Sequence, residues 1–236
     1  MTTTAAIKAA TAEAGGYVLA SYRDKRSGVL HAANGVSALG ALAGIFAQVQ
    51  ARSMLQSGAI AQTQSTLVEV TTKTGERYYF GDAINACLME GSRERPAFWN
   101  IAAGAARDPK IADKIDVLAI ARHTTKSVGT PDFGKPRIDK RYGLTELPLQ
   151  AVQKHGPWLL VRFLELDLEP ANLMRVWGSV AQSFAAFAAG EIKDVQADVP
   201  MKRADIVRLY LEAAFPASKF DLRAVGMAIE DKPPLT

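Results

Sequence analysis

The sequence contains very little cysteine: Cys87 is the single cysteine among 236 residues. One cysteine excludes an intramolecular disulfide, and it excludes any metal site built from several cysteines of the same chain. A reducing compartment suits such a protein best. The first residues, MTTTAAIKAATAEAGG, also lack the basic segment and leucine-rich run of a secretory signal. We therefore expect a cytoplasmic protein.

Recognisable catalytic and phosphate-binding motifs are lacking as well. Histidine occurs three times, never in a ligand-like cluster, and the chain has no HExxH, CxxC or EF-hand pattern. Gly35 and Gly40 have the spacing of a phosphate-binding loop, but Ala41 and Leu42 follow where Lys and Ser or Thr are required. We therefore expect no metal ion and no cofactor, and no motif assigns a chemistry to the chain.

Charges of the two signs are nearly balanced. The chain has 28 Lys and Arg against 24 Asp and Glu, a net charge of +4, and 48% of its residues are hydrophobic. This composition is typical of a folded globular protein, and it leaves room for an acidic partner without requiring one. We expect a single domain over residues 1–236, with fraying confined to a tail, EDKPPLT, at 230–236.

The most apolar stretch runs from Val29 to Val49 and contains no charged residue. At 100° per residue, one face carries large aliphatic side chains and another carries small residues, among them Gly40 and Gly44. Such a helix belongs in a core, where the small face lets a neighbouring backbone approach. Its length would suffice for a bilayer, but its polar residues are costly in hydrocarbon. We predict a buried central helix over 29–56 and no membrane contact.

Shorter patterns predict the elements around this helix. Two segments at 67–71 and 77–80 are rich in β-branched and aromatic residues and flank a glycine-containing turn, which predicts an antiparallel hairpin. Helices are predicted at 3–14, 82–89, 96–107, 109–122, 145–155, 170–190 and 200–215, while 158–168 fits either a helix or a strand. The predicted fold class is α+β and mainly α-helical: a helical bundle around the Ala/Gly-rich helix, with a small antiparallel hairpin or sheet.

Residues 124–143, TTKSVGTPDFGKPRIDKRYG, combine three glycines and two prolines with no periodicity. Loops of this length are usually lids, binding loops or linkers, so we expect a flexible functional segment. Cations interleaved with Phe133 and Tyr142 are typical of a surface that contacts nucleic acid or phosphate. A solvated loop kept soluble by its charges is the alternative interpretation. The candidate ligand-binding residues are Lys126, Lys135, Arg137, Lys140 and Arg141.

Two further features suggest sites. Asp116 and His123 lie seven residues apart, on one face of a helix and about 10 Å from each other, so an acid/base pair would need a third group between them.

The helix at 170–190 carries an apolar stripe around Trp177 with spacings of three and four. That stripe predicts either a core contact or an isologous dimer interface.

These observations favour a non-enzymatic binding or assembly module that forms a homodimer, because apolar stripes are present and catalytic constellations are absent. One alternative is a small-molecule enzyme with a site near Asp116 and His123 and a lid formed by 124–143. Another is a nucleic-acid or phosphate binder that uses the basic residues between 126 and 141. Nucleic acid is thus an alternative partner but not the favoured one.

Overall fold

The computed structural model describes residues 2–227 and has a mainly helical α+β fold with one small antiparallel hairpin among those residues, which confirms the predicted class. The strands are β1 (Val68–Thr71) and β2 (Arg77–Phe80). The helices are α1 (Thr3–Tyr22), α2 (Ala32–Gln56), α3 (Asp82–Leu88), α4 (Phe98–Ala102), α5 (Pro109–Ala112), α6 (Val117–Ser127), α7 (Pro148–Glu165), α8 (Leu173–Ala188) and α9 (Arg203–Ala217). The predicted tail at 230–236 lies outside the described residues.

Helix α2 lies at the centre of the core and is buried along most of its length. Its glycines contact the backbone of α9: a Cβ atom added at Gly44 would lie 2.1 Å from the carbonyl oxygen of Ala214, and one at Gly40 would lie 2.4 Å from that of Tyr210. The small face predicted from the sequence is thus where α9 packs. By length and composition α2 could cross a membrane, and 94% of its most apolar window is buried inside the protein.

The predicted hairpin is present, and in its register Val70 lies opposite Tyr78. The backbone N–H of Tyr79 donates to the carbonyl of Lys219 over 2.9 Å, so β2 lies between β1 and the segment that follows α9. Tyr78 and Tyr79 are buried, whereas Val68 and Val70 on β1 are exposed. The hairpin is therefore attached to the helical core through β2.

Helix α1 continues through Gly15 and Gly16, where the sequence predicted an interruption. The reason is tertiary packing, since every fourth side chain of α1 is buried: Ala6, Ala10, Ala14, Val18 and Tyr22. A glycine inside a helix costs only about 1 kcal/mol relative to alanine, and burial of this stripe outweighs that cost.

Helix α7 likewise continues where an end was predicted, through Gly156 and Pro157, and it settles residues 158–165 as helix. Gly156 has no side chain at the point where Met227 packs, because a Cβ atom there would lie 2.6 Å from the Met227 Sδ. The helix predicted over 109–122 is instead divided into α5 and α6. The division falls at Asp116, which caps α6.

Candidate functional site

The predicted acid/base residues occupy different structural positions on α6. Asp116 is the N-cap, and its Oδ1 accepts a hydrogen bond from the backbone N–H of Ala119 over 2.8 Å. His123 lies about two turns further along the same helix. Within the described part of the chain, no hydrogen bond joins the two side chains. Asp116 therefore has a capping role that accounts for its presence at this position.

Three of the five basic candidates between 126 and 141 are paired with carboxylates of the same chain. Arg137 lies 2.7 Å from the buried Glu212 of α9, and its backbone N–H also donates to that carboxylate. Arg141 donates to the Tyr142 hydroxyl and lies 3.6 Å from Asp205. Lys135 pairs with Asp132 at 3.4 Å, while Lys126 and Lys140 are exposed.

These pairs hold the basic segment against the protein. Glu212 is 4% exposed as a residue, and Asp205 accepts a hydrogen bond from Tyr142 over 2.6 Å, so two carboxylates of α9 bind the segment at separate points. Intramolecular pairing also reduces the positive charge that the segment offers to a phosphate.

The apolar stripe around Trp177 on α8 belongs to the core. Trp177 is 1% exposed, and its ring centroid lies 5.4 Å from that of Phe46 and 5.8 Å from that of Phe163. A side chain buried to this degree inside its own chain is unavailable to a second copy. Of the two interpretations of this stripe, the structure supports the core contact.

Exposed large apolar side chains concentrate instead on α7. Eight such residues occur among those described, and five of them lie on α7 or at its N-cap: Leu147, Leu149, Trp158, Val161 and Leu164. Val161 is 53% exposed and Leu164 is 65% exposed. Single exposed apolar residues are ordinary, but Trp158, Val161 and Leu164 follow one another at a spacing of three residues on α7, and such a group indicates an interaction surface.

Four residues of α7 form one stripe along this exposed surface, which we call the α7 stripe: Lys154, Trp158, Val161 and Glu165. Their spacing of four, three and four residues places them on one face of the helix, over about 16 Å of its length. The two ends carry opposite charges, and their side chains are 55% (Lys154) and 53% (Glu165) exposed, although each is also paired within the chain: Lys154 lies 3.4 Å from Glu146, and Glu165 contacts Arg162. The stripe is therefore apolar in its middle and oppositely charged at its ends.

Tyrosines of α1 hold α7 in place beneath the stripe. The ring of Tyr17 stacks on Trp158 with the centroids 4.1 Å apart and the planes 19° apart. The Tyr17 hydroxyl also lies 3.0 Å from Nδ1 of the buried His155, and the Tyr22 hydroxyl lies 3.1 Å from its Nε2. Tyr22 in turn donates a hydrogen bond to Glu146. These contacts fix both the rotation of α7 and the orientation of Trp158.

Only one assignment of donors and acceptors fits the hydrogen bonds around His155. Since the single hydroxyl proton of Tyr22 is donated to Glu146, Nε2–H of His155 must donate to Tyr22, and Nδ1 must accept from Tyr17. Burial, assisted by Lys154 and opposed by Glu146, lowers the pKa of His155 to about 4. Burial and then the bond to Glu146 raise the pKa of Tyr22. A neutral imidazole with both nitrogens engaged supports structure, and it has no free atom for a substrate.

An apolar pocket of about 230 Å³ adjoins the exposed surface of α7, between α2, α7 and the start of α8. Leu164 lines this pocket, as do Val49, Phe163 and Leu168. The exposed apolar surface therefore continues from the helix into a depression, and a side chain of a partner fits such a depression.

Cys87 does not form a reactive thiol site, and the described residues contain no candidate metal site. Cys87 is buried, and burial raises the pKa of its thiol to about 12, so it is a core cysteine. Within residues 2–227, no group of three or more His, Cys, Asp and Glu is arranged to hold a metal ion.

Comparison of the chain with protein-family models, curated proteins and solved structures gave no match. The α7 stripe was not predicted from the sequence, because the helix was expected to end near His155 and Gly156. The signal was nevertheless present, since a helix continued through Pro157 would have placed Lys154, Trp158 and Val161 on one face.

Proposed function

We propose that this protein is a non-enzymatic assembly module that forms a homodimer through the α7 stripe. The observation that carries the proposal is the symmetry of the stripe about its own centre, between residues 159 and 160. An isologous interface requires a surface that is complementary to itself, and few helix faces meet that condition.

The symmetry defines which residues meet. A two-fold axis at the centre of the stripe pairs antiparallel copies of α7, so that Trp158 contacts Val161 of the partner subunit. The same axis brings Lys154 to Glu165 of the partner subunit, and every contact occurs twice. A spacing of four, three and four residues is the spacing that lets two helices pack side by side over this length.

The apolar middle supplies most of the expected affinity. Full burial of a side chain such as Val161 contributes about 1.5–3 kcal/mol relative to full exposure, and the interface contains two copies of each residue. An exposed ion pair such as Lys154 with the partner's Glu165 contributes only about 0.2–1 kcal/mol. We therefore infer that Trp158 and Val161 drive association, while the charged ends select the antiparallel orientation.

The first test is the solution mass by light scattering at micromolar protein concentrations. We expect the wild-type chain to be a dimer and Val161→Asp to be a monomer, because the substitution buries two unpaired carboxylates. Leu118→Asp on α6 is the matched control, since Leu118 is 54% exposed against 53% for Val161. A monomeric wild-type chain, or a dimer that survives Val161→Asp, would contradict the proposal.

A charge exchange tests the orientation separately. Lys154→Glu and Glu165→Lys should each weaken self-association, by about tenfold, because like charges then meet at both ends of the interface. A mixture of the two variants should restore association, since each end then pairs a glutamate with a lysine. Sedimentation of the separate and mixed variants measures this. If the mixture associates no better than either variant alone, the antiparallel pairing is wrong.

A further inference from the structure

A cleft of about 730 Å³ lies away from the α7 stripe, between the hairpin turn, residues 129–134, the start of α7 and residues 220–225. Four separate parts of the chain thus form its walls. The segment at 129–134 belongs to the aperiodic region that the sequence marked as a candidate binding loop. The structure places that region over a cavity large enough for a small molecule.

Aromatic rings hold the segment at 129–134 on the hairpin and line the cleft. Phe133 packs edge to face against Tyr78, with centroids 5.0 Å apart and planes at 82°. On its other side Phe133 packs against Phe220, at 5.8 Å and 88°. All three residues line the cleft, where Tyr78 and Phe220 are 9% and 7% exposed and Phe133 is half-buried. Aromatic rings attract organic cations through their negative faces and apolar groups through their area.

The charged residues that line the cleft are one cation and two carboxylates. Arg77 is neutralised by Asp221 at 2.8 Å, and the Asp221 side chain is only 10% exposed. Glu76 has hydroxyl partners alone, with Thr74 Oγ1 and Tyr78 Oη each 3.4 Å from its Oε2, and no cation pairs with it within residues 2–227. The residues that line the cleft therefore carry one more negative than positive charge, although the whole chain is basic.

The wall at the start of α7 contains two leucines beside the polar Gln153. Leu147 and Leu149 line the cleft and are 39% and 38% exposed, so an apolar ligand could contact them. An apolar group placed against them would be removed from water, which favours binding. The cleft thus offers a carboxylate, aromatic rings and two leucine side chains within one cavity.

We propose that this cleft binds a small organic cation, namely an ammonium group carried on an apolar or aromatic body. The ammonium group contacts the Glu76 carboxylate and the Tyr78 ring at the mouth. The apolar body lies between Phe133 and the side chains of Leu147 and Leu149. This site goes beyond the proposed assembly role, and its residues are not those of the α7 stripe.

Three probes of similar shape and different charge test the proposal: 2-phenylethylammonium, 2-phenylethanol and 3-phenylpropanoate. Titration of the ¹⁵N-labelled protein, followed by amide chemical shifts, measures each affinity and locates each contact. We expect the ammonium probe to bind at least about fivefold more tightly than the neutral probe. The reason is that the ammonium group gains a partly exposed contact with the Glu76 carboxylate. The shifts should map to residues 74–78 and 129–134.

Glu76→Gln should abolish the preference for the cation while it leaves binding of 2-phenylethanol unchanged. Glu169→Gln, an exposed glutamate outside the cleft, is the matched control and should keep the preference. The Val161→Asp variant should bind the cation with wild-type affinity, so failure of the dimer and failure of the cleft are separable. Equal affinities for all three probes, absence of binding, or a preference that persists in Glu76→Gln would overturn the proposal.

Discussion

At the scale of single residues, Gly44 shows how closely the core is packed. A Cβ atom at this position would lie 2.1 Å from a backbone oxygen of α9, and backbone cannot move aside as a flexible side chain does. We predict that Gly44→Ala destabilises the protein by about 1–3 kcal/mol or more, as overpacked cores do. Chemical denaturation measures the loss.

The matched control for this prediction is Gly16→Ala on α1. Gly16 is also helical, but an added Cβ atom there meets nothing within 4 Å. We expect this variant to be neutral or more stable by up to about 1 kcal/mol, because alanine favours the helix. If Gly44→Ala and Gly16→Ala behave alike, α2 and α9 do not approach as closely as the structure shows.

His155 predicts a pH dependence of stability whose sign follows from its lowered pKa. The ordinary value of 6.5 applies to the unfolded chain, and the folded value is about 4. Between these values the unfolded chain binds a proton that the folded chain does not, so the free energy of unfolding falls as pH falls from 6.5 towards 4. Above pH 6.5 this loss is absent, and the free energy of unfolding has its full value with respect to His155.

A comparison of wild type with His155→Gln isolates this contribution. Urea denaturation at several pH values across that window should show a steeper loss of stability on acidification for the wild-type chain. Parallel curves for the two proteins would mean that burial does not hold His155 neutral in the folded protein.

At the scale of elements, the segment between α6 and α7 depends on the contact between Arg137 and Glu212. Removal of the guanidinium leaves the Glu212 carboxylate, 3% exposed, with the more distant Arg208 at 3.6 Å. We predict that Arg137→Ala lowers the free energy of unfolding by about 1–3 kcal/mol and opens the segment to protease. Limited proteolysis with mapping of the first cleavage tests this.

Lys140→Ala serves as the control for the proteolysis experiment, because Lys140 is an exposed cation of the same segment. It should be cleaved at the wild-type rate. Arg137→Lys should give an intermediate rate, since an ammonium group keeps the charge but cannot contact both Glu212 oxygens in the same way. Wild-type resistance in Arg137→Ala would show that the aromatic contacts of Phe133 hold the segment without the ion pair.

Sequence patterns predicted well those elements whose hydrophobic periodicity is contained in one short stretch of the chain. The central helix, the hairpin, α8 and α9 each show their own periodicity, and each was found near its observed position. The site was harder to predict because it depends on long-range contacts. His155 meets Tyr17 across 138 residues, and Arg137 meets Glu212 across 75, so no local window contains either pair.

At the scale of the whole molecule, the proposed dimer couples stability to concentration. Association stabilises the folded state by mass action, so Tm should rise with protein concentration in the wild-type chain. The Val161→Asp variant should show a Tm that does not depend on concentration. Differential scanning calorimetry over a wide concentration range measures both. A concentration-independent Tm in the wild-type chain would argue against a dimer that is linked to folding.

Helix α2 also has a consequence for the order of biosynthesis. Its principal cover, α9, begins at Arg203, about 150 residues after α2 ends, and a ribosome that adds about 5–20 residues per second needs roughly 7–30 s to reach it. During that interval α2, which is long and apolar enough to span a membrane, is already synthesised, while α9, which later covers it, is not. The nascent chain therefore presents to chaperones and to the insertion machinery a segment that the finished protein hides.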